Sequence, residues 1–206
     1  MTKVVVIDYN MGNTDSVVRA IEKCDGNPIL SNSKSDFTSA SHIILPGVGA
    51  FKEGMENIKN LGLESILQEQ VLKHKKPFLG ICLGMQLLAD KGFENGEFRG
   101  LGWIEGDVKE FEKTDNDERI PHIGWNEVNF KEKKYLFENV ISGKDMYFVH
   151  SYHFVCKKDI NIIATTPYCG HFVSAVRKDN IFGVQFHPEK SQKNGFKILK
   201  NFLSIA

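Results

Sequence analysis

Three short apolar runs, each closed by a polar or glycine-bearing turn, constrain this chain more than any other feature of its sequence. Val4–Asp8 is β-branched and ends in Tyr9-Asn10-Met11-Gly12-Asn13, and helical spacing of Val17, Val18, Ala20 and Ile21 follows from Asp15 to Cys24. Pro28–Leu30 and His42–Leu45 read as the next two strands, the second running into Pro46-Gly47-Val48-Gly49. Leu63–Leu72 has helical spacing. Pro77–Ile81 is a continuous apolar strand entering Cys82, with an apolar helical turn at Leu83–Ala89. Strands apolar throughout, alternating with helices, are the pattern of an α/β chain whose parallel sheet is covered on both faces.

Beyond residue 100 the texture changes. Short alternating stretches at 101–111, 126–130, 146–156, 161–166, 172–177 and 181–186 predict several mainly antiparallel strands, and a helix from Lys193 to Phe202 closes the chain. Lys113–Arg119 is expected to be a charged, solvated and mobile loop tip. No repeat, low-complexity tract or long linker divides the 206 residues, so residues 1–206 are expected to form one domain.

Charge and cysteine usage remove several function classes. Lys+Arg and Asp+Glu both number 26, which leaves no electrostatic footprint for nucleic acid or an anionic membrane. The start lacks the apolar core and cleavage site of a signal peptide, and no stretch approaches the ~20 apolar residues of a membrane span. Cys24, Cys82, Cys156 and Cys169 show no C-x-x-C spacing and no zinc-type pairing with histidine. No metal, no cofactor and a cytoplasmic location are the expectations, with most of the cysteines acting as small buried hydrophobes.

Cys82 stands apart. In Gly80-Ile-Cys-Leu-Gly-Met-Gln86 it sits where a strand passes into a helix, with a glycine two residues away on each side. That is the layout of a nucleophile elbow, in which a sharp turn lifts the side chain out of the sheet. A helix N-terminus there favours thiolate over thiol, and the amide of Leu83 is placed to donate to an oxyanion. A buried structural cysteine is the competing reading, but it has no need of glycines on both sides.

A second element lies late in the chain. Pro188 in Gly183-Val-Gln-Phe-His-Pro-Glu189 holds His187 extended. Glu189 can then bond one ring nitrogen, either from the same side of an extended chain or through a local turn. The other nitrogen is left to take a thiol proton and return it to a leaving amine. A surface His-Pro-Glu turn would be the ordinary reading of that tripeptide alone. The Gly-rich loop Leu45-Pro-Gly-Val-Gly-Ala-Phe51 lacks the Lys and Ser/Thr of a P-loop. It could be a plain turn, or could bring the Gly49 amide to a second oxyanion position. His42 and His74 read as structural, and His153 and His171 carry no assigned role.

Together, G-x-C-x-G-x-Q and the late H-P-E resemble the triad (class I) glutamine amidotransferases. Pro121-His-Ile-Gly-Trp-Asn126, Tyr147-Phe-Val-His-Ser-Tyr152 and Phe186-His-Pro-Glu-Lys-Ser191 are similar to segments of the glutaminase subunits of imidazole glycerol phosphate synthase. The resemblance spans nearly the whole chain. It implies a flavodoxin-like α/β fold with an additional antiparallel sheet in the C-terminal half. It implies glutamine hydrolysis through a thioester at Cys82, with His187 and Glu189 completing the triad and oxyanion support from the Gly49 and Leu83 amides. It implies that Gln86, Glu94, His150, Ser151 and Tyr152 hold glutamine. It also implies a (β/α)8 cyclase subunit as heterodimer partner, receiving ammonia for histidine biosynthesis, with Asn13, Trp125, Tyr147 and Lys190 at or near the interface.

Glutaminases of this kind are nearly silent until the partner binds its own ligand. A Gly49 amide pointing away would explain that, since one oxyanion donor is worth about 10²–10³ in rate. The first loop departs from the family pattern: Asn10 stands for a glycine, and Thr14 and Asp15 for a hydrophobic and a commonly basic residue. A paralogue supplying ammonia for surface-sugar amidination, a non-catalytic glutamine-responsive subunit and a free-standing thiol hydrolase on γ-glutamyl substrates therefore stand beside the histidine-pathway reading.

Overall fold

A computed structural model describes residues 1–114 and 119–206, so part of the charged segment expected at Lys113–Arg119 lies outside the described residues. The N-terminal half alternates as the sequence predicts: β1 (Lys3–Ile7), α1 (Thr14–Lys23), β2 (Asn27–Ser31), α2 (Lys34–Ser39), β3 (His42–Leu45), α3 (Phe51–Asn60), α4 (Leu63–Leu67), β4 (Phe78–Ile81) and α5 (Leu83–Gln86). Helices α2 and α3 were not legible in the apolar spacing. The helix predicted over Leu63–Leu72 is α4 continued by a π-helical segment, Gln68–Lys73. The turn predicted over Leu83–Ala89 is helical only to Gln86.

The C-terminal half adds β5 (Lys91–Gly92), β6 (Phe98–Arg99), β7 (Gly106–Glu110), β8 (His122–Val128), β9 (Lys144–His150), β10 (Tyr152–Cys156), β11 (Ile162–Pro167), β12 (His171–Lys178), β13 (Ile181–Val184) and α6 (Gln192–Leu203). The principal sheet runs β2-β1-β3-β4-β13-β12-β10-β7-β5-β6, with β11 paired to β12. Its first four strands are parallel, and β13 joins them beside β4 as the fifth. The stretch at 181–186 thus belongs to the parallel core, whereas β12, β10 and β7 pair antiparallel. Strands β8 and β9 form a separate antiparallel pair.

The apolar runs explain this arrangement. Val4, Val5, Val6 and Ile7 of β1 are all fully buried, and alternate residues enter different cores. Val4 and Val6 pack with Val17 and Ile21 of α1 and Ile198 and Phe202 of α6. Val5 and Ile7 pack with Phe37 of α2, Phe51 and Ile58 of α3 and Leu67 of α4. A strand apolar at every position needs helices on both sides, and these supply them. Because β1, β3, β4 and β13 are parallel, their C-terminal ends lie along one edge of the sheet, where open α/β sheets place their ligands.

Candidate active site

Strand β4 ends at Ile81 and Cys82 follows with φ 54° and ψ −108°. A non-glycine residue in that conformation is strained, and the neighbours hold it there. The Cys82 N–H donates to the Val184 carbonyl of β13 (2.8 Å). Gly80 and Gly84 press on each other: a Cβ on Gly80 would lie 2.4 Å from the Gly84 carbonyl oxygen. Helix α5 is a single turn, so backbone geometry at the elbow carries more of the argument than a helix dipole does.

The register Val184↔Ile81 brings the end of β13 to this point. His187 is extended at φ −98° and ψ 93°, and Pro188–Lys190 form a 3₁₀ turn. The turn, not the two-residue periodicity of a strand, therefore brings Glu189 back to the ring. His187 Nδ1 and Glu189 Oε1 are 2.7 Å apart, with both side chains almost fully buried. Burial alone would depress the imidazole. The neighbouring Cys82 sulfur and the Glu189 carboxylate outweigh it and hold His187 up at about 10. Nδ1 is therefore a donor to Glu189, and the buried Nε2 is the nitrogen left for Cys82.

The glycine loop after β3 lies against the elbow. Tyr9, buried at the end of β1, donates its hydroxyl to the Pro46 carbonyl (2.6 Å). The Val48 N–H donates to the Met11 carbonyl (3.0 Å), and Gly49 adopts φ +118°. The Leu83 N–H, expected to face an oxyanion, donates here to the Gly47 carbonyl (3.3 Å). One expected oxyanion donor is thus covered by the loop that should supply the other.

The expected glutamine-holding residues border this edge. Val149 O lies 4.0 Å from Cys82 Sγ, which places the β9–β10 junction, His150-Ser151-Tyr152, beside Cys82. The Ser151 carbonyl accepts from the Phe111 N–H (3.0 Å). Gln86 donates to the Tyr152 carbonyl (2.9 Å) and to Gln185 Oε1 (3.1 Å). Glu94 Oε2 accepts from the Phe51 N–H (2.8 Å), capping α3 directly after the glycine loop.

Expected partner contacts form a surface on the outer face of β8–β9. Trp125 is 48% exposed and meets Tyr147 across the pair, ring centroids 5.9 Å apart. Lys190 Nζ lies 5.9 Å from the Tyr147 ring centroid. Ile123, exposed two residues before Trp125, extends the patch. Asn13 is the N-cap of α1, in left-handed conformation (φ 54°) like Asn10 (φ 62°). Asparagine tolerates that conformation better than most side chains. The patch is wired to His187: the Tyr147 carbonyl accepts from the His187 N–H (2.9 Å). Ser191 Oγ also donates to the His187 carbonyl (2.6 Å) and accepts from the Tyr147 N–H (3.0 Å).

A comparison with protein families matches residues 5–206 to the class-I glutamine amidotransferase model. The Methanococcus maripaludis imidazole glycerol phosphate synthase subunit HisH 2 is 47% identical, covering 98% of this chain and 100% of its own. The Campylobacter jejuni subunit HisH 1 is 46% identical with the same coverage. The chain belongs to the HisH-type class-I glutamine amidotransferases. It is a glutaminase, and its fold is the flavodoxin-like fold of that family with the extra β8–β9 sheet. Solved structures agree at the level of fold. A crystal structure of a glutamine amidotransferase superposes with TM-score 0.75 at 15% identity, over 98% of this chain and 99% of that one. The structure of PurLQS from Thermotoga maritima does so with TM-score 0.70 at 18% identity, over 98% and 97%. Among the described residues no helix is long and apolar enough to cross a membrane.

One polar feature of the site has a consequence for stability. His150 Nδ1 donates to the Tyr152 carbonyl (2.8 Å), which leaves Nε2 to accept from His122 Nδ1 (3.1 Å). His122 Nε2 in turn accepts from Asn126 Nδ2 (3.2 Å). Every proton in this chain is assigned with both rings neutral. Burial holds His122 down to about 4 and His150, further opposed by neighbouring histidine charge, to about 3. Unfolded histidines protonate near pH 6.5. Below that pH the unfolded chain binds protons that the folded chain refuses, so stability falls through about pH 4 for His122 and about pH 3 for His150 and then levels. Urea unfolding at pH 7.5 and pH 5 should differ by about 2 kcal/mol per neutral histidine. His122→Gln should flatten the slope, and an unchanged slope would contradict the assignment.

Proposed function

We propose that residues 1–206 form one glutaminase domain in which Cys82 is the nucleophile, His187 the proton carrier and Glu189 its orienter. The observation that carries this is the convergence of two separated segments. A cysteine strained at the end of β4, a histidine after β13 and a buried carboxylate 2.7 Å from its Nδ1 meet at one sheet edge. The thiolate adds to the glutamine carboxamide carbon, and the oxygen takes up charge beside the Leu83 and Gly49 amides. Collapse of that adduct expels ammonia as His187 delivers the proton. Water, activated by the same imidazole, then releases glutamate from the thioester. Gln86, Glu94, His150, Ser151 and Tyr152 hold the substrate along the same edge.

The acceptor in this proposal is a (β/α)8 cyclase subunit of imidazole glycerol phosphate synthase, in the cytoplasm, in the service of histidine biosynthesis. Its support is the HisH kinship and the exposed aromatic patch of Trp125 and Tyr147, with Lys190 at its side. The Leu83 N–H is engaged by Gly47 in the isolated chain. Docking that draws the glycine loop back would free this donor and turn the Gly49 N–H inward. Glutamine hydrolysis should therefore be low for the chain alone and rise at least about 10²-fold with the cyclase subunit and its nucleotide ligand, the value of one restored donor. Full activity without a partner would reject the loop mechanism and favour a free-standing hydrolase. No activity with the histidine-pathway cyclase would favour a paralogue with another acceptor.

A further inference from the structure

Gln185 follows β13 directly and is fully buried. Its backbone N–H is already satisfied by the Ser174 carbonyl (2.9 Å), so the sheet makes no demand on its side chain. A buried amide is costly unless both ends are bonded, and methionine or leucine would fill such a site at no polar cost. The orientation of this amide is fixed from outside. The Tyr152 carbonyl can only accept, so the Gln86 group facing it at 2.9 Å is Nε2. The same Nε2 lies 3.1 Å from Gln185, which must therefore present Oε1. That leaves Gln185 Nε2 directed at Cys82 Sγ, 3.6 Å away.

We propose that Gln185 is a catalytic residue of the glutaminase: its amide N–H donates to the Cys82 sulfur and stabilises the thiolate, as a second partner beside His187. The proposal rests on the reading of Cys82 as nucleophile and adds a donor that neither triad nor oxyanion hole includes. Hydrogen bonds to ionised groups are the stronger ones, and this one is present before substrate arrives. No atom of Gln185 changes bonding during the reaction. It favours the ionised sulfur that attacks and eases regeneration of that sulfur when the thioester is hydrolysed. The orienting chain also begins at Gln86, an expected glutamine contact, so the nucleophile and the substrate-holding side chain are set by one hydrogen-bonded pair.

The test is the pH dependence of Cys82 alkylation by iodoacetamide, followed by mass spectrometry, in the wild type and in Gln185→Met and Gln185→Leu. Methionine keeps the volume and removes the donor, and thermal melts report whether each variant folds. The expected result is a midpoint about one pH unit higher, with alkylation about tenfold slower at pH values below the wild-type midpoint, the equivalent of one lost hydrogen bond to a charged sulfur. Glutamine turnover in the presence of the cyclase subunit should show a similar loss in kcat with KM little changed. A folded Gln185→Met variant with the wild-type midpoint would overturn the proposal. So would a raised KM with an unchanged midpoint, since Gln185 would then act only by placing Gln86. Failure of the wild type to be alkylated at Cys82 is a different result, which would strike the nucleophile assignment itself. If both variants fail to fold, Gln185→Glu supplies the comparison. Its carboxylate has no N–H to offer, and an unshifted or lowered midpoint in it would likewise reject the donor.

Discussion

Cys82→Ala is expected to remove glutamine hydrolysis by a factor on the order of 10⁶, the loss seen when a protease nucleophile is deleted. The fold should survive. Alanine takes the same backbone conformation at no greater strain than cysteine, keeps the Val184 hydrogen bond and removes one small buried atom. Deleting the thiol leaves Glu189 and His187 in place but takes away the sulfur that, with Glu189, holds the imidazole up. His187 should consequently titrate closer to the ordinary range in this variant, a change visible by NMR and independent of turnover. Binding to the cyclase subunit should persist, since the Trp125–Tyr147 patch is untouched. Cyclase turnover supplied with an ammonium salt in place of glutamine should persist as well. Residual glutamine turnover near wild type would remove Cys82 from the mechanism.

Much of this site was readable because its chemistry is local in sequence. Gly80, Cys82 and Gly84 lie within five residues, and so does the whole of His187-Pro188-Glu189. Spacing alone states the elbow and the orienting carboxylate. The pairing of the two segments was not local. It depends on β13 lying parallel to β4, and a strand whose neighbours are antiparallel gives no sign in its own residues of which edge it will join. The sequence pattern grouped 181–186 with the antiparallel stretches for this reason.

What periodicity missed has physical causes too. Helix α2 carries only one buried residue, Phe37, so no apolar stripe announces it. Gln185 and Tyr9 read as an ordinary strand residue and a turn residue. Only tertiary placement shows one amide aimed at the sulfur and one hydroxyl pinning the glycine loop. His122 lay inside a segment noted only for its resemblance, and its value as a buried neutral partner of His150 appears once β8 is paired with β9. A polar residue amid apolar neighbours was the available signal at Gln185. That signal says a partner exists but cannot name it.

Gly84→Ala is expected to be the most damaging single methyl addition near the site. A Cβ at Gly84 would fall 1.8 Å from the Leu45 carbonyl oxygen, and both atoms belong to backbone at the sheet edge. Flexible side chains can swing away from such a contact, but here α5 must lift from β3 or β3 must shift against β4. Either movement opens the two cores that share these strands, and overpacking that displaces backbone in a close-packed interior costs about 1–3 kcal/mol or more. The elbow adds a second penalty, because Gly84 also supplies the carbonyl that closes on Gly80 and fixes the positive φ of Cys82. Urea unfolding should place Gly84→Ala at a markedly lower midpoint, with glutamine turnover reduced by more than the unfolded fraction explains. Gly62→Ala is the contrasting variant. Gly62 has φ +66° but open space around its Cβ position, so it bears conformational strain of about 1 kcal/mol and no clash. Its midpoint should fall modestly and turnover of the folded protein should be unchanged. Equal destabilisation in the two variants would mean that the contact with Leu45 adds no cost at Gly84 beyond that of an unclashed glycine, and the tight packing of the elbow against β3 would lose its role.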